Sequence, residues 1–385
     1  MRTMPSPTSW THDLYRRSRT FAKWLATPAL TLRRRADWMS LGDKWAISNV
    51  KIEGQHLIFS GWAIAPPSLR PYVGFTCAGA RVADVEYPID RPDVAAAFPY
   101  VPDARLSGFV CRHRLAAPIS PGTSIEFQCV DSRNGNPLTA TSYPHFWRRP
   151  VADDPPIPET ARRVRVINET ADDYFREGGY LQYGRLQWAL QRTWDKSFKD
   201  YRSVLDWGCG CGRISRYFRH RAPGSFTGAD VDSENVAWCR ANLPFGKFEA
   251  LPLHPPSSLA RGSFDLVFGI SVFTHLRESD QDEWLSELCR ITRPGASLLL
   301  TVHGDATLYR HPTILSTAQK QARKRRGILD VSNWIYDAKL SEHDYYRETY
   351  HTARYIRSHW GRFLKIRDVL PGFIGPQDLV IAERK

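Results

Sequence analysis

Val204-Leu205-Asp206-Trp207-Gly208-Cys209-Gly210-Cys211-Gly212-Arg213-Ile214-Ser215-Arg216-Tyr217-Phe218 reads as a short apolar strand, a glycine-dense turn and then a helix. Such a unit lets a nucleotide cofactor lie against bare backbone. A dinucleotide site needs G-x-G-x-x-G, so that a pyrophosphate can rest on the helix N-terminus. Here the third glycine comes one residue early and Arg213 takes its place. Asp206, just ahead of the glycines, repels pyrophosphate but suits the ammonium of a methionine-like group, directly or through water. These features disfavour NAD and suit S-adenosylmethionine.

The surrounding stretches extend the unit. Phe226-Thr227-Gly228-Ala229-Asp230-Val231-Asp232 reads as a second strand ending in a carboxylate. Asp230 stands where such folds place the group that binds ribose hydroxyls. Ser263 to Ser271 gives a third strand, and Ser297 to Val302 a fourth after the turn Arg293-Pro294-Gly295. Phe363 to Val369 and Leu379 to Ala382 read as antiparallel final strands around Gly372 to Pro376, and Asp172 to Trp194 as a helical lead-in rich in aromatics.

From Tyr174 to Lys385 the chain resembles the class I S-adenosylmethionine-dependent methyltransferases. Within that class it is similar to a bacterial group encoded beside polysaccharide-assembly genes. The marks are Leu205 to Arg213, Ser271-Val272-Phe273-Thr274-His275-Leu276, Thr301-Val302-His303-Gly304 and Gln377-Asp378-Leu379-Val380. The resemblance implies an α/β, Rossmann-like domain with a mixed seven-stranded sheet. It implies S-adenosylmethionine as cofactor, held by Asp206, Gly208, Cys209, Gly210, Gly212, Asp230, Val231, Ile270 and Ser271. Two departures stand out: Ala296 replaces a second glycine after the Pro-Gly turn, and His254-Pro255-Pro256 stands in place of an acidic adenine ligand.

Ahead of this domain the period changes to two. Val50 and Ile52, Leu57 and Phe59, Val73 and Phe75, Val82 and Val85, Phe109 and Cys111, and Ile125 and Phe127 give short strands with frequent turns, the pattern of a small antiparallel β-sandwich. Arg91-Pro92-Asp93-Val94, with Phe98-Pro99 and Ser107-Gly108-Phe109, resembles a β module of bacterial polysaccharide glycosyltransferases and methyltransferases. The expected organisation is a basic arm over 1–44, a β-sandwich over 45–135, a Pro-rich linker over 136–160 and the cofactor domain over 161–385.

Composition narrows the partners. The 385 residues are 42% hydrophobic, enough for packed cores, and carry a net charge of +13. That charge points to an anionic partner. One cluster, Arg16 to Arg35, flanks an apolar run too short and broken to span a bilayer. It reads either as a helix lying on an anionic membrane surface or as a partly disordered arm. Lys320 to Arg326 forms a second cluster. Seven cysteines in an odd set, with no signal-peptide h-region, point to the cytoplasm. Cys209-x-Cys211 has no second Cys/His pair to complete a metal site.

Methyl transfer from a sulfonium is an in-line displacement on an activated donor, so the protein chiefly aligns the acceptor at about 3 to 3.5 Å and excludes water. A hydroxyl acceptor gains from a base; carboxylate or phosphate acceptors need none. Candidates are His303, His275 and His351, the last with Glu348 or Asp344 as orienting carboxylate. The long stretch from Gly304 to Tyr355, with Tyr309, Trp334, Tyr336, Tyr345, Tyr346 and Tyr350, reads either as a lid with faces for sugar rings or as the core of an extra subdomain.

The leading expectation is O-methylation of a glycan or lipid-linked saccharide. An RNA methyltransferase would explain the charge. However, Ser271-Val272-Phe273 replaces the Asn/Asp-Pro-Pro-Tyr/Phe run of amine methylation, so nucleic acid is disfavoured. A scaffold that recruits envelope enzymes is the non-enzymatic alternative.

Overall fold

The computed structural model describes residues 44–99, 101, 103–167, 170–220, 225–332 and 345–385. The basic arm, apart from Lys44, lies outside the described residues, as do Trp334, Tyr336 and Asp344.

Period-two patterning over the first described hundred residues forms two four-stranded antiparallel sheets. One runs β1 (Trp45–Glu53), β2 (His56–Ala63), β6 (Leu106–Arg114), β5 (Asp84–Asp90). The other runs β4 (Ala80–Arg81), β3 (Val73–Cys77), β7 (Ser124–Asp131), β8 (His145–Arg148). Alternate residues point to one face of each strand, so Leu57, Phe59, Phe109 and Cys111 of the first sheet meet Phe75, Ile125, Phe127 and Cys129 of the second in one apolar core. Helix α1 (Pro92–Ala97) fills the connection between β5 and β6. It begins inside the Arg-Pro-Asp-Val motif, with Pro92 at a first-turn position that needs no N–H partner.

The Pro-rich stretch read as a linker is corrected by β8. His145 to Arg148 pairs with β7, from Phe127↔His145 to Ser124↔Arg148. Pro144 and Pro150 flank this strand, where their missing N–H groups cost no ladder bond. Beyond it the chain forms α2 (Thr160–Ile167), then α3 (Asp172–Trp194), which occupies the residues read as the lead-in. α3 locks the two parts together. Gly184 sits so close to Phe146 that a Cβ would lie 2.3 Å from the ring. Buried Arg185 donates to the carbonyls of Pro144 (3.1 Å) and Phe373 (2.7 Å), and the Tyr143 hydroxyl donates to Pro371 O (3.1 Å).

The remaining strands form a seven-stranded sheet in the order β11 (Lys247–Ala250), β10 (Phe226–Asp230), β9 (Val204–Trp207), β12 (Phe264–Gly269), β13 (Thr292–Val302), β17 (Gln377–Arg384), β16 (Leu364–Ile374). β17 is antiparallel to both neighbours and the rest are parallel. The central strands read as continuous apolar runs because both faces are covered. Leu205, Val267, Leu298 and Leu300 pack with Trp284, Leu285 and Leu288 of α5 (Glu278–Ile291). Val204, Leu266, Phe268 and Leu299 pack with Leu186, Ala189 and Leu190 of α3. β9 lies between β10 and β12, so the chain order reverses there and opens a crevice beyond the strand ends.

The helix expected directly after the glycine turn is absent; a single 3-10 turn, Ser215–Phe218, stands in its place. Ile214, just before that turn, and Phe218, at its end, are already buried, and Pro223 soon follows in sequence. α4 (Ser233–Asn242) follows β10. Between β13 and β16 come α6 (Asp305–Arg310), α7 (Thr317–Arg326), the antiparallel pair β14 (Ile328–Ser332) and β15 (Arg347–His351), and α8 (Ala353–His359). Among the described residues, no helix is long and apolar enough to cross a membrane.

Candidate active site

A cleft of about 620 Å³ opens over the C-terminal ends of β9, β10, β12 and β13. Its floor is the glycine turn. Gly208 has φ +77°, and a Cβ there would lie 2.3 Å from Val272 Cγ2, so both conformation and space demand glycine. Gly210 follows at φ +51°, and its N–H donates to Asp230 Oδ2 at 2.6 Å. Asp230 Oδ1 accepts the N–H of Asp232 at 2.8 Å. One carboxylate thus ties the first strand's turn to the tip of the second strand. Its outer edge remains on the cleft wall.

Gly208, Gly210, Asp230, Val231, Ile270 and Ser271 all line the cleft. Three other expected cofactor residues do not. Asp206 is buried beneath the turn, where its Oδ2 accepts the Ser215 hydroxyl at 2.6 Å. Cys209 is buried with Cys239 beside the Gly210 carbonyl (3.6 and 3.5 Å). Gly212 leaves room for Leu243 and Cys239. Their side chains, or the space where one would be, pack beneath the turn. The structure adds Trp207, Asp232, Leu251 and Trp284 to the walls. It also adds Arg165 of α2, whose guanidinium pairs with Asp232 and with Glu234 (2.8 Å) across the top. Nothing in local spacing marks Arg165, since its partners belong to a helix far along the chain. Among the described residues, no group of His, Cys, Asp and Glu side chains is arranged to hold a metal ion.

Burial raises Asp230 to about 6, outweighing its two backbone hydrogen bonds, and raises Asp206 to about 7. For a carboxyl raised in the folded state, stability from this group falls as pH rises from the unfolded value of about 3.9 through the folded one. Acidification from pH 7 to 5 therefore protonates Asp230 without a stability loss from that group. S-adenosylmethionine affinity should fall about tenfold per pH unit below 6, because a protonated carboxyl no longer offers two acceptors to a diol. Calorimetry from pH 7.5 to 5, with melting temperatures of the free protein as control, checks this.

The opposite wall holds two of the candidate histidines. Glu348 of β15 stands between two imidazoles: Oε2 is 3.5 Å from His303 Nδ1, and Oε1 is 3.9 Å from His275 Nδ1. All three residues line the cleft. The two rings are edge-to-face, 6.4 Å apart. His303 directly follows β13 and rests against the Tyr350 ring at 5.3 Å; among the described residues its buried Nδ1 has no hydrogen-bond partner. His275 Nδ1 lies 3.0 Å from the Arg347 carbonyl, which accepts from an Nδ1–H. Burial pushes both imidazoles below their ordinary value, the burden that a charged ring would have to overcome through Glu348.

His351, the third candidate, is corrected. It is fully buried, and its Nε2 meets Gln281 Oε1 at 2.9 Å, on the core side of β15. Successive strand residues point to opposite faces, so Glu348 and Tyr350 turn toward the cleft side while Thr349 and His351 turn away. Glu348 accordingly serves the two other histidines.

A second network braces this wall. Ser271, at φ +62°, gives its N–H to Thr301 Oγ1 (2.8 Å), and its hydroxyl accepts from Gln377 Nε2 (2.6 Å). Positive φ in a non-glycine residue is a conformation the surroundings must hold. Buried Asp378 accepts the Gly372 N–H at 2.9 Å and presses on Gly304, the residue after His303, so tightly that a Cβ there would lie 1.7 Å from Oδ2. The Gln377-Asp378 motif therefore positions the ends of β12 and β13. Thr307, His311, Ile314, Tyr345, Tyr346 and Pro376 complete the outer part of the cleft.

Residues 204–295 match the family described as Methyltransferase domain. The bare glycine floor and the carboxylate at the second strand's tip leave room for a nucleoside against the backbone. A fatty-acid O-methyltransferase of Mycolicibacterium smegmatis is 34% identical over 104 residues, 26% of this chain and 36% of that relative, so the chain spans little more than a third of the relative's length. Among solved structures, a SAM-dependent methyltransferase of Methanosarcina mazei is 19% identical, covering 48% of this chain and 93% of that one, with a TM-score of 0.35. The N-methyltransferase NodS of Bradyrhizobium japonicum, in complex with S-adenosyl-L-homocysteine, is 12% identical, covering 59% and 97%, with a TM-score of 0.37.

Proposed function

We propose that the chain O-methylates a hydroxyl of a glycan or glycolipid intermediate in cell-envelope polysaccharide assembly, using S-adenosylmethionine. The supporting observation is the His275–Glu348–His303 group on the cleft wall facing the cofactor floor. A carboxylate acceptor needs no base, so a paired imidazole–carboxylate device favours an alcohol.

The Gly208–Gly210 floor and Asp230 would hold the cofactor, whose sulfonium supplies an electrophilic methyl group. Tyr345 and Tyr346 offer ring faces to a saccharide and displace water from the outer cleft. A neutral imidazole, His303 or His275, accepts the hydroxyl proton as the oxygen attacks. Glu348 then stabilises the imidazolium, the role a carboxylate plays behind a histidine base. The basic residues over 1–44 would keep the enzyme at the anionic cytoplasmic face of the membrane, where lipid-linked saccharides are presented.

The test is incubation with methyl-labelled S-adenosylmethionine and separate fractions of glycans, lipid-linked saccharides, free fatty acids and RNA. Alkali-stable label in a saccharide is expected, because an ether resists mild base. Label released as methanol would indicate a carboxyl ester and a fatty-acid acceptor. Label in RNA alone would replace the proposal with the reading that the charge of +13 favours.

A further inference from the structure

The Arg91-Pro92-Asp93-Val94 motif lies outside the methyltransferase domain and plays no part in the chemistry above. Its residues nevertheless build a knob. Arg91 forks onto Asp93 (2.7 and 2.6 Å) and reaches the Gly61 carbonyl (2.9 Å), fixing the start of α1. α1 then buries Val94 and delivers Phe98, both almost wholly covered, into a cluster with Ile64 and Ala104. Trp62 closes this cluster from within the two-sheet region, its ring 5.2 Å from that of Phe98.

The other side of the cluster is supplied by the catalytic domain. Tyr309 of α6 packs against it, and the Arg310 guanidinium stands 3.8 Å over the Phe98 ring. α6 begins one residue after Gly304, so it continues directly from His303. Its opposite side faces the cleft: Thr307 and, just past the helix end, His311 line the outer part, and the Thr307 hydroxyl donates to Pro376 O at 2.7 Å. A six-residue helix has too few internal hydrogen bonds to hold its own position. Its location is set by what clamps it.

We propose that the N-terminal two-sheet region is a positioning element for the acceptor: through Phe98 it clamps α6 and thereby fixes the Thr307–His311 wall against which the acceptor lies. Among the described residues, Phe98, Tyr309 and Arg310 are not part of the cleft lining. The clamp should therefore govern acceptor binding and leave cofactor binding alone. The acceptor arm of the test rests on the O-methylation reading; the exchange arm does not.

Phe98→Ala removes the knob, and Arg310→Ala removes its cover from the catalytic side. In both variants, amide hydrogen exchange over residues 304–311 should accelerate about tenfold, reporting local release of α6. S-adenosylhomocysteine affinity by calorimetry should stay within about twofold. With the saccharide fraction labelled by the wild-type protein, acceptor KM should rise about tenfold with kcat changed less than about threefold, the split expected when uniform binding is lost. Unchanged exchange over 304–311 in Arg310→Ala would overturn the proposal. So would an unchanged KM, or kcat and cofactor affinity falling together. Should Phe98→Ala not fold, Arg310→Ala decides, because its side chain lies at the surface of the contact. If the wild-type protein labels no saccharide, the acceptor reading fails and the exchange result still decides the clamp.

Discussion

Asp230→Ala should weaken S-adenosylmethionine binding by about 10³-fold, since charge-assisted hydrogen bonds to two ribose hydroxyls are lost together. The effect exceeds that of a simple ligand contact because the same carboxylate holds Gly210 N–H and Asp232 N–H. Without it, the floor under the cofactor loses its tie to β10. Asp230→Asn keeps the shape and one acceptor, so an intermediate loss is expected. Calorimetry with S-adenosylhomocysteine measures both variants. Affinity within about fivefold of wild type in Asp230→Ala would place the cofactor elsewhere.

His303→Ala should lower methyl transfer by about 10² to 10⁴-fold while cofactor affinity is retained, the range expected on losing a general base. Glu348→Gln should cost about 10²-fold, because the amide preserves packing but not the charge that stabilises an imidazolium. His275→Ala separates the two imidazoles, since His275 alone is anchored to the Arg347 carbonyl. Single-turnover rates with saturating cofactor give the comparison. If the His303 and His275 variants both turn over normally, neither ring is the base and the acceptor must ionise unaided. In that case an acidic acceptor becomes the better reading.

What the sequence discloses depends on how far apart the cooperating residues lie. Val204 to Gly212 and Phe226 to Asp230 carry strand and turn within a few residues, so their order and spacing suffice to read the sheet's core. The end of each strand also points to Ser271, His275 and His303, because ligands gather there in open α/β sheets. In sequence, Glu348 reads as a partner of His351 because the two are near neighbours. β-strand parity instead sends them to opposite faces, and the long connection after β13 carries Glu348 back to the two distant histidines. β8 is hidden because its four residues lie among prolines that only tertiary pairing shows to be flanks. Asp206 illustrates a different limit: its position beside the glycines is right for a ligand, yet buried Ser215, nine residues on, draws the carboxylate under the turn. Pattern identifies the strand end but not the rotamer that a neighbour imposes.

β17 sits between β13 and β16 and carries Asp378 against the residue that follows His303. As a ribosome produces this chain, the β13 segment with Leu298, Leu299 and Leu300 emerges long before the strand that covers its flank. Until residues 377–384 emerge, that greasy ribbon offers an unsealed row of amides and carbonyls, the kind of nascent surface that invites chaperone capture or clumping. The wall that carries His303 therefore takes shape only after residues 377–384 have emerged, and damage to that strand would harm both yield and the shape of the cleft.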